Sequence, residues 1–301
     1  MATDGATRST GANRYLTQSQ RDRIARFVKK FRNNTKAMIG LTLVSLLVVV
    51  AIFAPVIAPY PIDETNIDER SQPPSLEHPF GTDDLGRDIF SRVVMGSRIS
   101  LRVGFGAVGG ALVTGAVIGV VAGYAGGLTD EFLMRVMDAA MAFPPVLLAL
   151  TLLVVLGPEL RNVIIALAFV YTPYIARVSR SAALAERNEA YVEAAVARGE
   201  SSARIVFSEV FPNCTAPMLV QGSLTVSFAI LAEASLSFLG LGAQPPKPSW
   251  GLMINAGRGF MVTAPWMLLF PAIAIAIAVI GFNMLGDGLR DVLDPKVEAI
   301  E

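Results

Sequence analysis

The chain has 301 residues, of which 53% are hydrophobic and only 17% are charged, and its formal net charge is zero. Soluble domains carry about 25% charged residues, so this composition excludes an ordinary soluble protein and predicts a membrane protein. A neutral chain offers no broad basic surface for nucleic acid. One cysteine and one histidine exclude a disulfide framework and argue against a metal site, and no motif calls for a cofactor.

The first 37 residues are polar and are predicted to form a tail on the membrane surface. Residues 1 to about 17 are rich in Ser, Thr, Gly and Ala, which is typical of disorder. Ile24, Phe27, Val28 and Phe31 then share one helical face, and Arg and Lys residues cover the rest of that helix. This pattern favours an amphipathic surface helix on the lipid bilayer over a solvated charged linker. Because nine Lys and Arg residues precede the first apolar run, we expect the N-terminus to be cytosolic.

Six apolar stretches are predicted to cross the membrane as helices, since lipid offers the backbone no hydrogen-bond partner. They cover residues 38–59, 99–124, 139–157, 162–176, 217–239 and 265–285. Pro144 and Pro145 should kink the third stretch. The predicted organisation is a cytosolic tail at 1–37, the first span and an external loop at 38–98, a five-span core at 99–288 and a cytosolic tail at 289–301.

The external loop contains a cluster of aspartates, which is a candidate cation site. The spacing around Asp83 and Asp84 does not fit a calcium-binding EF-hand loop. We therefore expect one of these two residues to cap a helix. The single histidine, His78, is predicted to be structural.

Five glycines in the second span predict close helix packing. Gly106 and Gly110 are four residues apart, as are Gly115, Gly119 and Gly123 in turn. This spacing makes a smooth groove into which another helix can fit. The sequence does not reveal whether that helix belongs to this chain or to a second subunit.

Glu233 lies within the fifth apolar stretch, where a carboxylate is costly to bury. Two interpretations remain open. Glu233 lines a translocation path, or it is a structural partner for a neighbouring helix.

The segment between the fourth and fifth spans, about residues 186–213, predicts a short helix, a turn and a second helix; we call it the knob. Glu193, Ala194 and Ala195 favour a helix with a small outer surface that another protein can approach closely. Gly199 can adopt the left-handed conformation that ends a helix. A serine after it can cap the second helix, which Pro212 is expected to terminate.

This pattern resembles the EAA loop of ABC-importer permeases. The matching residues are Glu193, Ala194 and Ala195, then Gly199 after three intervening residues, and the segment 209–213, which contains Pro212, after nine more. In that family the loop inserts into a cleft of a cytosolic ATPase. The resemblance implies an all-α type I permease fold with six transmembrane helices and a cytosolic coupling helix, and it implies that these five residues form or brace the ATPase contact.

Other segments resemble the second membrane subunit of the dipeptide and oligopeptide permease family, over about residues 36 to 296. They lie at 78–83, 85–88, 232–242, 248–251, 263–266 and 283–291. The resemblance implies a cell-membrane importer assembled from this subunit, a sister permease, one or two ABC ATPase subunits and an external substrate-binding protein. Nickel permeases share these segments, so cargo stays open between peptides, nickel and another small solute.

The alternative functions are a secondary transporter and an intramembrane enzyme. A secondary transporter driven by an ion gradient through Glu233 would need no ATPase, but the two halves show no repeat of broken helices. An intramembrane enzyme is disfavoured because the sequence contains neither H-E-x-x-H nor G-x-S-x-G. The sequence also lacks the phosphate-binding motif G-x-x-x-x-G-K-[ST], so ATP hydrolysis is expected on separate subunits and none on this chain.

Overall fold

The computed structural model describes residues 25–293, and helices dominate this part of the chain. The helices are α1 over 25–33, α2 Thr35–Ile57, α3 Ile89–Ala125, α4 Gly127–Met141, α5 Pro145–Leu156, α6 Leu160–Glu186, α7 Ala190–Ala197, α8 Ser202–Ile205, α9 Phe211–Asn213, α10 Thr215–Phe238, α11 Trp250–Gly257 and α12 Trp266–Leu293. The predictions for residues 1–24 and 294–301, including Ile24 of the surface helix, lie outside the described residues.

Five helices, α2, α3, α6, α10 and α12, are long and apolar enough to cross a membrane. The sixth predicted span is divided into α4 and α5, whose axes differ by 89°. The expected kink is confirmed as a complete break, with Pro144 at the N-cap of α5 and Pro145 in its first turn. At 1.5 Å per residue α5 is only about 18 Å long. Counted as one broken span, the pair gives the six spans of the prediction.

Several span boundaries differ from the prediction: the third span starts at Gly127 instead of residue 139, and the sixth ends at Leu293 instead of residue 285. Helix α3 begins at Ile89, ten residues before the predicted start. The prediction that Asp83 or Asp84 caps this helix was wrong. Asp88 is the N-cap, and its carboxylate accepts a 2.7 Å hydrogen bond from the Ser91 N–H. Helix α6 extends to Glu186 with Pro173 inside it. Both helices extend beyond their apolar runs, α3 at its start and α6 at its end. The hydrophobicity pattern therefore located the spans but not the helix ends.

The glycine groove of α3 packs against α6 of the same chain, and the two helices run parallel. A Cβ atom on Gly115, Gly119 or Gly123 would lie 2.7, 2.2 or 2.6 Å from a backbone oxygen of α6. A Cβ on Gly106 or Gly110 would lie 3.2 or 3.0 Å from a side-chain carbon of α6. Only glycine permits this approach, which holds α3 and α6 together as one unit.

The start of α2, the end of α12 and the knob lie at one end of the bundle, which we call the knob end. Asn34 donates a 3.3 Å hydrogen bond to Asp291, and the Lys36 ammonium lies 3.6 Å from the same carboxylate. The first turn of α10, which follows the knob, shares a cavity with Arg290 and Leu293 near the end of α12.

The opposite end, which we call the cap end, is closed by the loops before α3 and around α11. The Trp250 indole N–H donates to the Val93 carbonyl at 2.9 Å, and that of Trp266 donates to the Thr82 carbonyl at 3.1 Å. His78 is buried here, with its Nδ1 3.0 Å from Oδ1 of Asp88. This placement agrees with the structural role predicted for His78.

Candidate functional site

The knob begins at the end of α6 and exposes one face of α7. Glu193 and Ala194 are exposed, while Val192 and Ala195 are buried and Ala195 is 0% exposed. Successive helical residues are 100° apart, and the edge of the exposed face of α7 falls between Ala194 and Ala195. The predicted contact residues therefore divide into an outer pair, Glu193 and Ala194, and an inner residue, Ala195.

The buried face of the knob belongs to a hydrophobic cluster of its own, separate from the main core. Its buried members are Ala116, Val120, Ala183, Val192, Ala195, Ile205, Val206, Val210, Cys214 and Met218. These residues come from α3, α6 and α10 as well as from the knob. Three spanning helices therefore hold the knob in place through close apolar contact.

Gly199 ends α7 in the left-handed conformation that was predicted, with φ at +76°. The N–H of Glu200 donates to the Ala195 carbonyl at 3.2 Å, and the N–H of Gly199 donates to the Val196 carbonyl at 2.9 Å. These two bonds form a Schellman motif. No atom lies within 4 Å of an added Cβ, so the backbone conformation, and not the available space, requires glycine.

Pro212 does not terminate the second knob helix, so that prediction was wrong. The chain forms a π-helical turn over Val206–Val210, in which the Phe211 N–H donates to the Val206 carbonyl five residues back. This wider turn accommodates the proline ring, which in an α-helix would clash with the carbonyl four residues earlier. Helical backbone therefore continues through Pro212 to Asn213, and one turn residue, Cys214, separates it from α10. Pro212 is exposed on the knob surface.

A hydrogen-bonded clamp joins the two ends of the knob. The Tyr191 hydroxyl donates to the Glu186 carboxylate and accepts a 3.1 Å bond from the Asn213 amide. Burial and the neighbouring Glu186 raise the pKa of Tyr191, which keeps the hydroxyl protonated. Sequence reasoning missed this clamp because Tyr191 and Asn213 are 22 residues apart.

Two exposed apolar side chains add to the knob surface. Val196 is 57% exposed and Phe207 is 58% exposed. Large exposed apolar groups outside the spanning helices are typical of protein contact sites. Sequence reasoning also missed these two residues, although apolar residues within a polar loop were an available signal.

Ion pairs fix α4 to α6 near the knob end. Arg180 binds Asp130 through two nitrogens at 2.5 Å, and Arg177 lies 2.6 Å from Asp138. Arg135 lies 2.8 Å from Glu131 on its own helix. The broken span is therefore anchored to the helix that leads into the knob.

Glu233 is 0% exposed and joins α10 to α3. Its carboxylate accepts hydrogen bonds from the hydroxyls of Ser100 at 3.1 Å and Ser237 at 2.6 Å. Both donors satisfy a buried acceptor that would otherwise be costly. This environment is the one expected of a structural partner for a neighbouring helix.

A cavity of about 350 Å³ lies between the start of α5 and the helices α6 and α10. Its walls include Tyr171, Tyr174, Gln221, Thr225, Phe228 and Ser235, and Glu233 is not among the lining residues. The Tyr171 hydroxyl donates to the Phe228 carbonyl at 3.1 Å, which fixes that ring against α10. The cavity volume is in the range of small-molecule sites.

Two protein families match this sequence. The family of binding-protein-dependent transport system inner membrane components matches residues 115–299. The N-terminal transmembrane domain of oligopeptide transport permease C matches residues 23–74.

Curated relatives cover most of the chain. The dipeptide transport system permease protein DppC of Alkalihalophilus pseudofirmus is 47% identical, over 90% of this chain and 89% of the relative. The oligopeptide transport system permease protein OppC of Bacillus subtilis is 43% identical over 89% and 88%. The glutathione transport system permease protein GsiD of Escherichia coli is 45% identical over 90% of each. The chain therefore belongs to the family of inner membrane components of binding-protein-dependent transport systems, as a multi-pass permease subunit.

Proposed function

We propose that this chain is one of two permease subunits of a peptide importer and that its knob transmits the movement of a separate ATPase to the membrane helices. One observation carries the proposal: α7 exposes Glu193 and Ala194 on one side and is packed on the other side against residues of three spanning helices. A force applied to the exposed face is therefore passed to the bundle, because close-packed side chains do not compress.

The predicted site residues take distinct roles in this proposal. Glu193 and Ala194 contact the ATPase directly, together with the exposed apolar groups Val196 and Phe207. Ala195 acts through its packing, since it is fully buried. Gly199 sets the length of α7.

Pro212 completes the knob surface at the other end of the segment. It is exposed and follows the π-helical turn. We therefore assign it to the outer face of the knob, where it braces the second helix next to the ATPase.

The knob end is assigned to the cytosol and the cap end to the cell exterior. The basic residues before α2 support this orientation, because Lys and Arg concentrate on the cytosolic side. The partners are then a sister permease beside the bundle, one or two ABC ATPase subunits at the knob end and a substrate-binding protein at the cap end. Alternation of the bundle between two rigid arrangements accounts for transport.

Peptide cargo is inferred from the printed functions of the relatives, which are permeases for dipeptides, oligopeptides and glutathione. These relatives cover nearly the whole length of the chain. No feature of the described residues favours nickel or an ion-driven mechanism, and the protonatable Glu233 is held by neutral hydroxyls away from the cavity.

The test is uptake by the complete complex in proteoliposomes, measured together with ATP hydrolysis. We expect Glu193→Lys and Gly199→Val to leave the permease in the membrane while uptake per ATP hydrolysed falls at least about tenfold, since mutations at a coupling contact typically cost a few kcal/mol. Glu159→Lys, an exposed acid outside the knob, is the matched control and should behave as wild type. Normal coupling in both knob variants would refute the proposal.

A further inference from the structure

Two arginines of the spanning helix α3, Arg98 and Arg102, have no partner among residues 25–293. Within that part of the chain, neither guanidinium group makes a hydrogen bond, an ion pair or a contact with an aromatic ring. By contrast, Arg177 and Arg180 of α6 are paired with carboxylates of α4. An arginine always carries its charge, and an unpaired charge near the hydrocarbon core is costly. A group from outside residues 25–293 is therefore needed to neutralise this pair.

Arg98 lies where α3 leaves the cap end. A Cβ atom on Gly96 would be 3.1 Å from the Trp250 ring, and the indole N–H of that ring is bonded to the Val93 carbonyl. The first turns of α3 are therefore enclosed by the cap end. Arg98 follows and is half-buried, and one turn further on Arg102 is exposed. The pair thus begins the part of α3 whose surface is open to the bilayer.

Arg102 is level with the ends of two neighbouring helices. Gly106 lies beside Ile164 of the parallel helix α6. Arg102 is one turn earlier on α3, so it is level with Leu160, the first residue of α6. Helix α5 ends close to the same level, because Leu156 is its last residue. Since spanning helices rarely stop inside the hydrocarbon core, this level marks the edge of that core.

Beyond the two arginines, the same face of α3 is apolar. Phe105, Val113 and Val117 are exposed, and an added Cβ on Gly109 would meet nothing within 4 Å. With the arginines they follow one another at intervals of four, three, four, four and four residues, so they share one face over about 29 Å. We call this face the α3 stripe: Arg98, Arg102, Phe105, Gly109, Val113 and Val117. It carries charge at the edge of the membrane and apolar surface across the rest.

A phospholipid has its charged and apolar groups in the same order as the α3 stripe. Side chains four residues apart on a helix are neighbours, so both guanidinium groups can bind one phosphate, with which arginine forms paired hydrogen bonds. The acyl chain then lies over the open surface at Gly109. An anionic headgroup is favoured over a zwitterionic one, because the latter brings an ammonium group that opposes the arginines. A helix of another subunit would have to bring carboxylates to the membrane edge instead.

We propose that the α3 stripe binds one anionic phospholipid of the leaflet at the cap end. Its phosphate lies between Arg98 and Arg102, and one acyl chain follows Phe105, Gly109 and Val113. This inference goes beyond the proposed function and does not depend on the cargo. The lipid neutralises both arginines and holds α3 at a fixed depth in the membrane. Because α3 and α6 pack as one unit, it sets the depth of α6 as well.

The test is photolabelling of the complete complex, purified through a tag on this chain and placed in nanodiscs of phosphatidylcholine. The probe is phosphatidylglycerol with a diazirine in its acyl chain, and phosphatidylcholine with the same diazirine is the comparison. Mass spectrometry of peptides locates and counts the adducts. We expect the phosphatidylglycerol probe to label residues 105–117 about tenfold more than the comparison, since basic residues near the membrane surface strengthen the binding of anionic lipid.

Substitution of the arginines should remove this preference. In the double variant Arg98→Gln/Arg102→Gln, labelling by phosphatidylglycerol should fall about tenfold, to the level of phosphatidylcholine. Arg102→Gln alone changes an exposed side chain and should give a value between wild type and the double variant, which keeps the test valid if the double variant fails to assemble. Arg70→Gln, at an exposed arginine of the loop before α3, is the matched control and should label as wild type.

Three results would overturn the inference. Equal labelling of wild type and the arginine variants would show that the arginines hold no lipid phosphate. Adducts on other helices with none on residues 105–117 would show that another protein covers the α3 stripe. Loss of labelling in excess inorganic phosphate, at constant ionic strength, would identify a soluble anion as the ligand. None of these results bears on peptide import, which uptake measures separately.

Discussion

Ala194 and Ala195 are adjacent in the chain, but one is exposed and the other is buried. Ala195 is completely buried on the inner side of α7, whereas Ala194 is exposed on the outer side of the same helix. Two identical side chains thus occupy the two faces of one short helix, and this allows contact with a partner to be separated experimentally from packing against the bundle.

Cross-linking should distinguish these two alanines. In a Cys214→Ala background, which removes the single native thiol, Ala194→Cys should form cross-links to the ATPase with a short bifunctional maleimide. Ala195→Cys should give none, because its side chain faces the buried cluster. Mass spectrometry of the cross-linked bands checks this, and equal capture from both positions would contradict the orientation of α7.

The native Cys214 thiol should be unreactive in the folded protein. It is buried, and burial raises its pKa to about 11. At pH 8 only roughly one thiol in a thousand is then ionised, and the thiolate is the reactive form. We expect maleimide labelling of native protein in detergent to be negligible at pH 8 and rapid after unfolding, with Ala194→Cys in the Cys214→Ala background as the fully labelled control.

The raised pKa of Cys214 also makes the stability of the folded protein depend on pH. A raised pKa means that the folded state favours the neutral thiol, so this contribution is complete below pH 9 and is lost as the pH rises through about 11. Labelling of native protein at pH 8 as fast as that of the control would contradict the buried position.

The contact between α3 and α6 should not tolerate a methyl group at Gly119. An added Cβ would lie 2.2 Å from the Ala176 carbonyl oxygen, so Gly119→Ala should lower the free energy of unfolding by about 3 kcal/mol through overpacking. Thermal unfolding in detergent measures the effect. Gly109→Ala on the same helix meets nothing within 4 Å and should be neutral or slightly stabilising. Similar unfolding temperatures for the two variants would contradict the parallel packing.

Substitutions of Glu233 should separate its two interpretations. If it bridges α10 to α3, Glu233→Gln retains an acceptor for Ser100 and Ser237 and should preserve uptake, while Glu233→Ala leaves buried hydroxyls without a partner and should cost about 1–3 kcal/mol of stability. Uptake assays and thermal unfolding check this. Loss of peptide uptake with Glu233→Gln at unchanged thermal stability would instead place the carboxylate on the cargo path.

The sequence predicted the number, order and approximate position of the spans, because apolar runs reflect the cost of exposing a backbone to lipid. It also predicted the left-handed Gly199, since glycine is the residue for which that conformation is inexpensive. These features depend on local chemistry or on the solvent alone.

The features that the sequence did not predict depend on distant neighbours. Which alanine of α7 is buried is decided by the cluster beneath it, and the partner of the glycine groove is decided by the arrangement of α6. Pro212 was misinterpreted because its usual effect assumes α-helical spacing, and the π-helical turn supplies a different spacing. The Tyr191 clamp joins residues that only the folded chain brings together.

The π-helical turn has a mechanical consequence. It keeps the backbone helical from Ser202 to Asn213, and α10, the helix that carries Gln221, begins after a single turn residue, Cys214. The second half of the knob is therefore joined to α10 without a flexible linker. A tilt of about 5° at the start of α10, which is about 36 Å long, would displace its far end by about 3 Å.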